Sequence, residues 1–292
     1  MRTGSFRSKW VASSLMAEPA AYPPERHLLR DLCLEAEHRP DGTSTAWIPL
    51  PAGARTASGA PLMGAVTTLV DALGGGMALP AAQPNWIATA DLTLHLLPHG
   101  GDAVETIEAR GKVARSGRTT VVLEVELFDL PGGAPRGLAT MTFSVIPRRV
   151  EAPVWDRDPE AVHRMTLAIP GSGLDDIHLH DALGLRVLDR ARGVVELPID
   201  DYARNSFGAA QGGAFGALAA SSAEAALSEA CGAPVEAIDL HLTYLELGKV
   251  GPLRTKATVL RASPAEGAAR IEIFDTGAGD VLTTWATVAC IA

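Results

Sequence analysis

The chain has 292 residues, a formal net charge of −9, 47% hydrophobic residues and 5% aromatics. That length holds two ordinary domains with cores built from small aliphatics. The acidic balance excludes a general nucleic-acid surface, which needs a basic face for phosphates. Cys33, Cys231 and Cys290 are too few and too scattered for a disulfide framework or a CxxC metal site, and are expected as buried small hydrophobes in a reducing compartment.

The chain opens with Arg2, Arg7 and Lys9 before a short apolar stretch, residues 10–16, that two serines interrupt. Residues 1–24 are read as a leader, with Met16 an alternative start, rather than as a signal peptide. No apolar run has the length of a membrane span, and the expected compartment is the cytoplasm. An amphipathic stretch (25–37) follows, then an alternating strand (46–50) and a Gly- and Ala-rich helix opening over 59–69. Alternating strands over 91–97, 111–115, 120–128 and 137–146 complete this part, with a hairpin turn at 130–134. Residues 147–159 are rich in proline and charge and mark a linker. Gly171, Ser172 and Gly173 lack the strand-to-helix setting of a nucleophile elbow and are read as a turn. The same order then recurs: an amphipathic stretch (174–190), a strand (195–199), a helix opening over 208–218, and strands over 239–245, 255–259, 269–274 and 281–290.

The repetition is detailed. Gly59-Ala-Pro-Leu-Met63-Gly64 aligns without a gap on Gly208-Ala-Ala-Gln211-Gly212-Gly213, and Asp91-Leu-Thr-Leu on Asp239-Leu-His-Leu. Each half therefore predicts one helix on an antiparallel sheet, an α+β layer architecture. The expected boundaries are 25–149 for the first domain, 150–173 for the linker and 174–292 for the second domain.

The stretch Asn205 to Gly213 sets an asparagine and a Gly-Gly pair before and at a helix start. Unpaired amides and the positive end of the helix dipole make that a place for negative charge developing on oxygen. With its second, altered copy, the pattern resembles the PaaI-like acyl-CoA thioesterases, with the hotdog fold present twice. In that family Asn, six residues later His-Gly-Gly, and an Asp eight residues after the first Gly carry the chemistry. The second half keeps Asn205, Gly212 and Gly213, has Gln211 at the His position, and has Ala220 where the acid belongs. The first half has Ala57 assigned to the Asn position and Met63-Gly64 at the Gly pair, yet Asp71 stands at the acid position.

Eight helical residues rise about 12 Å, so amide and acid must come from different helices to meet one carbonyl. The resemblance thus implies one composite site per chain. Gly212 or Gly213 would hold the thioester oxygen with Asn205 or Gln211 orienting it. Asp71 would act as base or nucleophile, and Thr89 would assist; its counterpart in the second half is Ala237. A charge opposite the apolar stripe of Val66, Leu69, Val70, Leu73 and Met77 also suits a solvated helix face. Glu224, one turn past Ala220, is read as solvated.

Arg115 and Arg118, and secondarily Lys249 and Arg254, are candidates for CoA phosphates. His178 and His180 have alternate spacing but no third metal ligand, and His95 and His241 suggest nothing in common. No metal or cofactor is expected. The expected activity is acyl-CoA thioester hydrolysis, by a homo-oligomer of the fused pair. The alternatives are a non-catalytic acyl-CoA binder and a hotdog hydratase or dehydratase.

Overall fold

The computed structural model describes residues 22–98, 104–148, 158 and 160–292. The expected leader lies almost wholly outside the described residues, as do residues 150–157 and 159 of the linker. The first half begins with a one-turn helix α1 (Leu28–Asp31), then β1 (Glu35–His38) and β2 (Thr43–Pro49). A 3-10 turn at Ala52–Ala54 leads to the long helix α2 (Met63–Ala81) and the strands β3 (Trp86–Leu96), β4 (Thr106–Ser116), β5 (Thr120–Leu130) and β6 (Ala134–Ile146). After β7 (His163–Thr166), the second half repeats the order: α3 (Leu179–Ala182), β8 (Arg186–Asp189), β9 (Val194–Leu197), α4 (Gly212–Cys231), β10 (Glu236–Tyr244), β11 (Leu253–Ala262), β12 (Glu266–Asp275) and β13 (Val281–Ile291).

The described strands form one 13-stranded antiparallel sheet, ordered β7-β1-β2-β4-β5-β6-β3-β10-β13-β12-β11-β9-β8. Along β5 buried and exposed positions alternate, Val121, Leu123, Val125 and Leu127 pointing inward. That alternation gives the sheet one apolar face, which packs on the helices. The amphipathic stretches 25–37 and 174–190 give only a single helical turn each before passing into β1 and β8. His27 and His178 start those turns, each ring Nδ1 accepting the N–H two residues on. β7 comes from the stretch between the two repeats and adds to the first half's edge by pairing with β1.

Local irregularities repeat as well. Both copies carry a bulge early in the strand after the helix, between Thr89 and Asp91 and between Ala237 and Asp239. Both carry an isolated bridge before the helix, Arg55 to Pro61 and Arg204 to Ala210.

The two halves meet along two surfaces. β3 pairs with β10, so the sheet runs on without a break. Asp239 lies opposite His95 and Thr243 opposite Asp91, and on one face His95 Nδ1 donates to Asp239 Oδ1 (2.6 Å) and His241 Nε2 to Asp91 Oδ2 (2.7 Å). His95 and His241 therefore do share a role, contrary to expectation. Comparing copies in parallel hides it, because antiparallel pairing joins each histidine to an aspartate of the other copy.

Beneath the sheet α2 packs directly on α4. A Cβ placed on Gly213 would lie 2.5 Å from Thr68 Cα, one on Gly64 2.4 Å from Ala217 Cβ, and one on Gly216 2.6 Å from the Thr67 side chain. Contact this close needs small residues, which accounts for the Ala- and Gly-rich composition of α4. The face of α2 bearing Thr67, Thr68 and Asp71 is thus covered by the second helix, both threonines fully buried and Asp71 half-buried.

Each half also anchors the other's loop before the long helix. Leu28 N–H donates to Tyr202 O (3.0 Å) and His27 Nε2–H to Arg204 O (2.8 Å), while Gly53 N–H donates to Leu174 O (3.0 Å).

Candidate functional site

The loop before α4 is built by Asn205. Its Oδ1 accepts from Phe207 N (2.9 Å) and Ala209 N (3.1 Å), and its own N–H donates to Ala209 O (2.7 Å). Gly208 takes a positive φ of 73° to close the turn. The first half makes the same loop with Thr56. Its N–H donates to Ala60 O, its Oγ1 accepts from Ala60 N, and Gly59 has a φ of 91°. Thr56, not Ala57, therefore occupies the Asn205 position. A hydroxyl fulfils the same turn-building role, so residue type alone misaligned the two copies by one.

Gln211 is the N-cap of α4, though its side chain makes no capping bond. It is 4% exposed, and its Oε1 has no partner among the described residues. The helix's own hydrogen bonds begin with Ala214 N and Phe215 N to Gln211 O. The amides of Gly212 and Gly213 precede them and lie outside the helical ladder.

Asp71, in the middle of α2, meets this helix start. Its carboxylate accepts a hydrogen bond from Thr89 Oγ1 (3.1 Å) and lies against the Gly212 backbone. Contact is close enough that a Cβ on Gly212 would lie 2.6 Å from Asp71 Oδ2. Burial pushes the Asp71 pKa up to about 6, against the opposing pull of Thr89 and Gly212. Asp71, Thr89, Gly212 and the Gln211 cap thus converge, drawn from both halves, while Asn205 acts through the shape of its loop.

Sequence reasoning missed three neighbours. Tyr244, at the end of β10, donates its hydroxyl to Gly212 O (3.1 Å) and packs edge-on against Phe215. Burial, with the charges of Asp71 and Asp91, raises its phenol pKa well above the ordinary value. Trp86 and Phe207 meet edge-to-face at 5.2 Å beside Thr89 and the Asn205 loop. The available signal was asymmetry, since Leu96, Pro234 and Ser58 hold the matching positions in the other copies.

The pseudo-equivalent end is different. Glu224 is half-buried rather than on an open face: its Oε1 accepts Ala237 N–H (3.0 Å), and burial raises its pKa to about 7. Ala237 offers it an amide where Thr89 offers Asp71 a hydroxyl.

Arg115 and Arg118 flank the exposed turn between β4 and β5, and neither has an ion-pair partner among the described residues. The second half's matching cation, Arg261, faces Glu266 at 3.9 Å, whereas Thr120 opens β5 at that position. Arg254 is tied up by the buried Glu196. Lys249 N–H and its two following amides bind Asp275. His180 Nε2 lies 3.3 Å from Ser221 Oγ, and burial pushes its pKa down to about 4. Among the described residues no group of three or more potential ligands is arranged to hold a metal, and no helix is long and apolar enough to cross a membrane.

No family model matches the chain, and no curated protein does either. Solved structures do match. One is an acyl-ACP thioesterase from Bacteroides thetaiotaomicron, 12% identical, with a TM-score of 0.56 over 86% of this chain and 98% of that one. Another is the tesB protein of Mycobacterium avium subsp. paratuberculosis, 13% identical, TM-score 0.55, covering 85% and 92%. A third, from Alicyclobacillus acidocaldarius, is described by its hot dog fold: 14% identical, TM-score 0.53, covering 85% and 92%.

The chain has the hotdog fold, twice over. In hotdog terms α2 and α4 are the enclosed helices and the continuous sheet is their common wrapping. Identities this low speak for the fold alone.

Proposed function

We propose that this double hotdog protein hydrolyses acyl-CoA thioesters at one composite site. The observation that carries the reading is the Asp71 carboxylate seated against the Gly212 backbone at the start of α4, with Thr89 hydrogen-bonded to it. A thioester oxygen taking up the Gly212 or Gly213 amide would be stabilised as charge gathers on it, an effect worth roughly 3–4 kcal/mol for one such donor. Tyr244 on Gly212 O fixes the peptide that carries the Gly213 N–H, and Gln211, whose Oε1 has no partner among the described residues, is a further orienting group. Asp71 then takes a proton from attacking water, or itself attacks the carbonyl to form an anhydride that water opens. In the first route the C–S bond breaks and the thiol leaves with the proton that Asp71 took from water; in the second the sulfur leaves as thiolate, and the water that opens the anhydride supplies the proton it takes up.

The solved thioesterases of the same fold support this reaction class, including one named for acyl-ACP. Unpaired Arg115 and Arg118 favour CoA phosphates as the far anchor. The chain is read as two domains, 25–149 and 174–292, acting in the cytoplasm. The edge strand β8, with Val187 and Leu188 47% and 50% exposed, supports further association into a homo-oligomer. The deciding experiment follows thiol release from a panel of acyl-CoAs by wild type and Asp71→Asn. Hydrolysis that the substitution abolishes, with CoA binding kept, bears the proposal out. Binding with no hydrolysis of any thioester replaces it with an acyl-CoA carrier, and hydration of enoyl thioesters with a hydratase.

A further inference from the structure

The two ends of the helix pair are closed in different ways. At the Glu224 end, Ser58 N–H donates to Glu236 Oε1 (3.1 Å) and Ser58 Oγ to Glu236 Oε2 (2.6 Å). These bonds fasten the first half's loop to the start of β10. At the Asp71 end, Phe207 stands at the Ser58 position and Ala88 at the Glu236 position. There the ring contact of Phe207 with Trp86 stands where the other end has the Ser58–Glu236 hydrogen bonds. Ala88 thus sets a methyl group beside Thr89 where the other copy sets a glutamate side chain beside Ala237.

Trp86 adds an independent sign of a ligand. It is 6% exposed, and its Nε1 has no partner among the described residues. A desolvated donor of this kind lacks an acceptor that a bound molecule can supply. Its place in the sheet says which part of a molecule that is. Trp86 pairs with Ile146 and Ala88 with Ser144, which in turn pairs with Thr120 beside the turn of Arg115 and Arg118. The basic turn is thus two strands from Ala88, about 10 Å, and Asp71 is one hydrogen bond from Thr89 on the other side. Between the phosphates and the thioester of an acyl-CoA lies the pantetheine arm, which carries two amide carbonyls.

We infer that Phe207 and Trp86 form the gate of the Asp71 site, with the pantetheine arm passing over Ala88 and an amide carbonyl accepting from Trp86 Nε1. The Ser58–Glu236 pair shuts the matching passage at the other end, so that each chain takes up one CoA. This inference rests on the acyl-CoA reading of the site.

The test uses CoA itself in titration calorimetry on the full chain, alongside hydrolysis of the best acyl-CoA. Wild type is expected to bind one CoA per chain. Ala88→Glu with Phe207→Ser, which transplants the Ser58–Glu236 latch, is expected to weaken CoA binding and raise KM at least about tenfold, with its melting temperature kept. Trp86→Phe, which keeps an aromatic ring but removes the N–H together with part of the indole, is expected to raise Kd and KM about tenfold and leave kcat within about twofold. Unchanged binding in both variants overturns the gate, and a stoichiometry of two overturns the shut passage. Should the latch variant not fold, Ala88→Leu sets a bulky side chain at the same position and decides in its place. Single-site CoA binding without hydrolysis, lost in these variants, would sink the thioesterase reading and leave the gate standing; hydrolysis untouched by them would do the reverse.

Discussion

Asp71 is the residue on which most depends, and its burial gives it two measurable signatures. With a pKa of about 6 the carboxylate form gains population as pH rises, so kcat/KM should climb through pH 6 and level off above 7. Thr89→Val removes a donor that favours the charged form and should move this limb to higher pH. A pH-rate profile of the two proteins checks both. The same shift bears on stability. The folded pKa lies above the unfolded value near 4, so this group's contribution is present at low pH and is lost as pH rises through 6. Asp71→Asn should therefore be the more stable protein at pH 8, by at most about 3 kcal/mol, while kcat falls roughly 10²–10⁴-fold. Denaturant melts at pH 4 and pH 8 would read it: a gain at pH 8 that disappears at pH 4. The pairing of Asp71 with Gly212 and Thr89 was legible in the sequence because two complementary copies resemble one family pattern, and eight residues of helix are too long for one copy to bring acid and amide together. Tyr244, Trp86 and the Ser58–Glu236 pair were not, since each acts through a contact between segments that no local pattern links.

At the scale of elements, the helix pair explains why an apolar stripe alone misleads. α2 shows one apolar face, and the opposite face reads as wet until a second helix of small residues is set against it. Thr67 Oγ1 and Thr68 Oγ1 turn back to Met63 O and Gly64 O (2.7 Å each), so the buried face satisfies its own hydroxyls. Glycines on that contact should tolerate nothing larger. Gly213→Ala drives a methyl into the Thr68 backbone and should cost about 1–3 kcal/mol. Gly75→Ala, with no described atom within 4 Å of its added methyl, should stabilise α2 by about 0.5–1 kcal/mol. Thermal melts of the two variants should move in opposite directions, and equal effects would contradict the packing described here.

For the whole molecule, the duplication was plain from the chain, and so was its helix-on-sheet class. The manner of joining was not: strand order across β3 and β10, and the reciprocal His–Asp pairs, depend on an antiparallel seam between copies. With sheet and helix pair both continuous, the molecule should unfold in a single calorimetric transition, with the van't Hoff and calorimetric enthalpies equal. Two resolved transitions would mean that the halves are independent. The His–Asp pairs are exposed, so Asp91→Asn or Asp239→Asn should cost no more than about 1 kcal/mol.

The crossed anchoring of the two leading segments has a consequence for synthesis. His27 waits for a carbonyl 177 residues downstream, and β3 has no neighbour on one side until β10 emerges. A ribosome that has made only the front copy holds a unit with a bare strand edge and a loose start. Premature termination near residue 150 should release a sticky fragment rather than a smaller working protein.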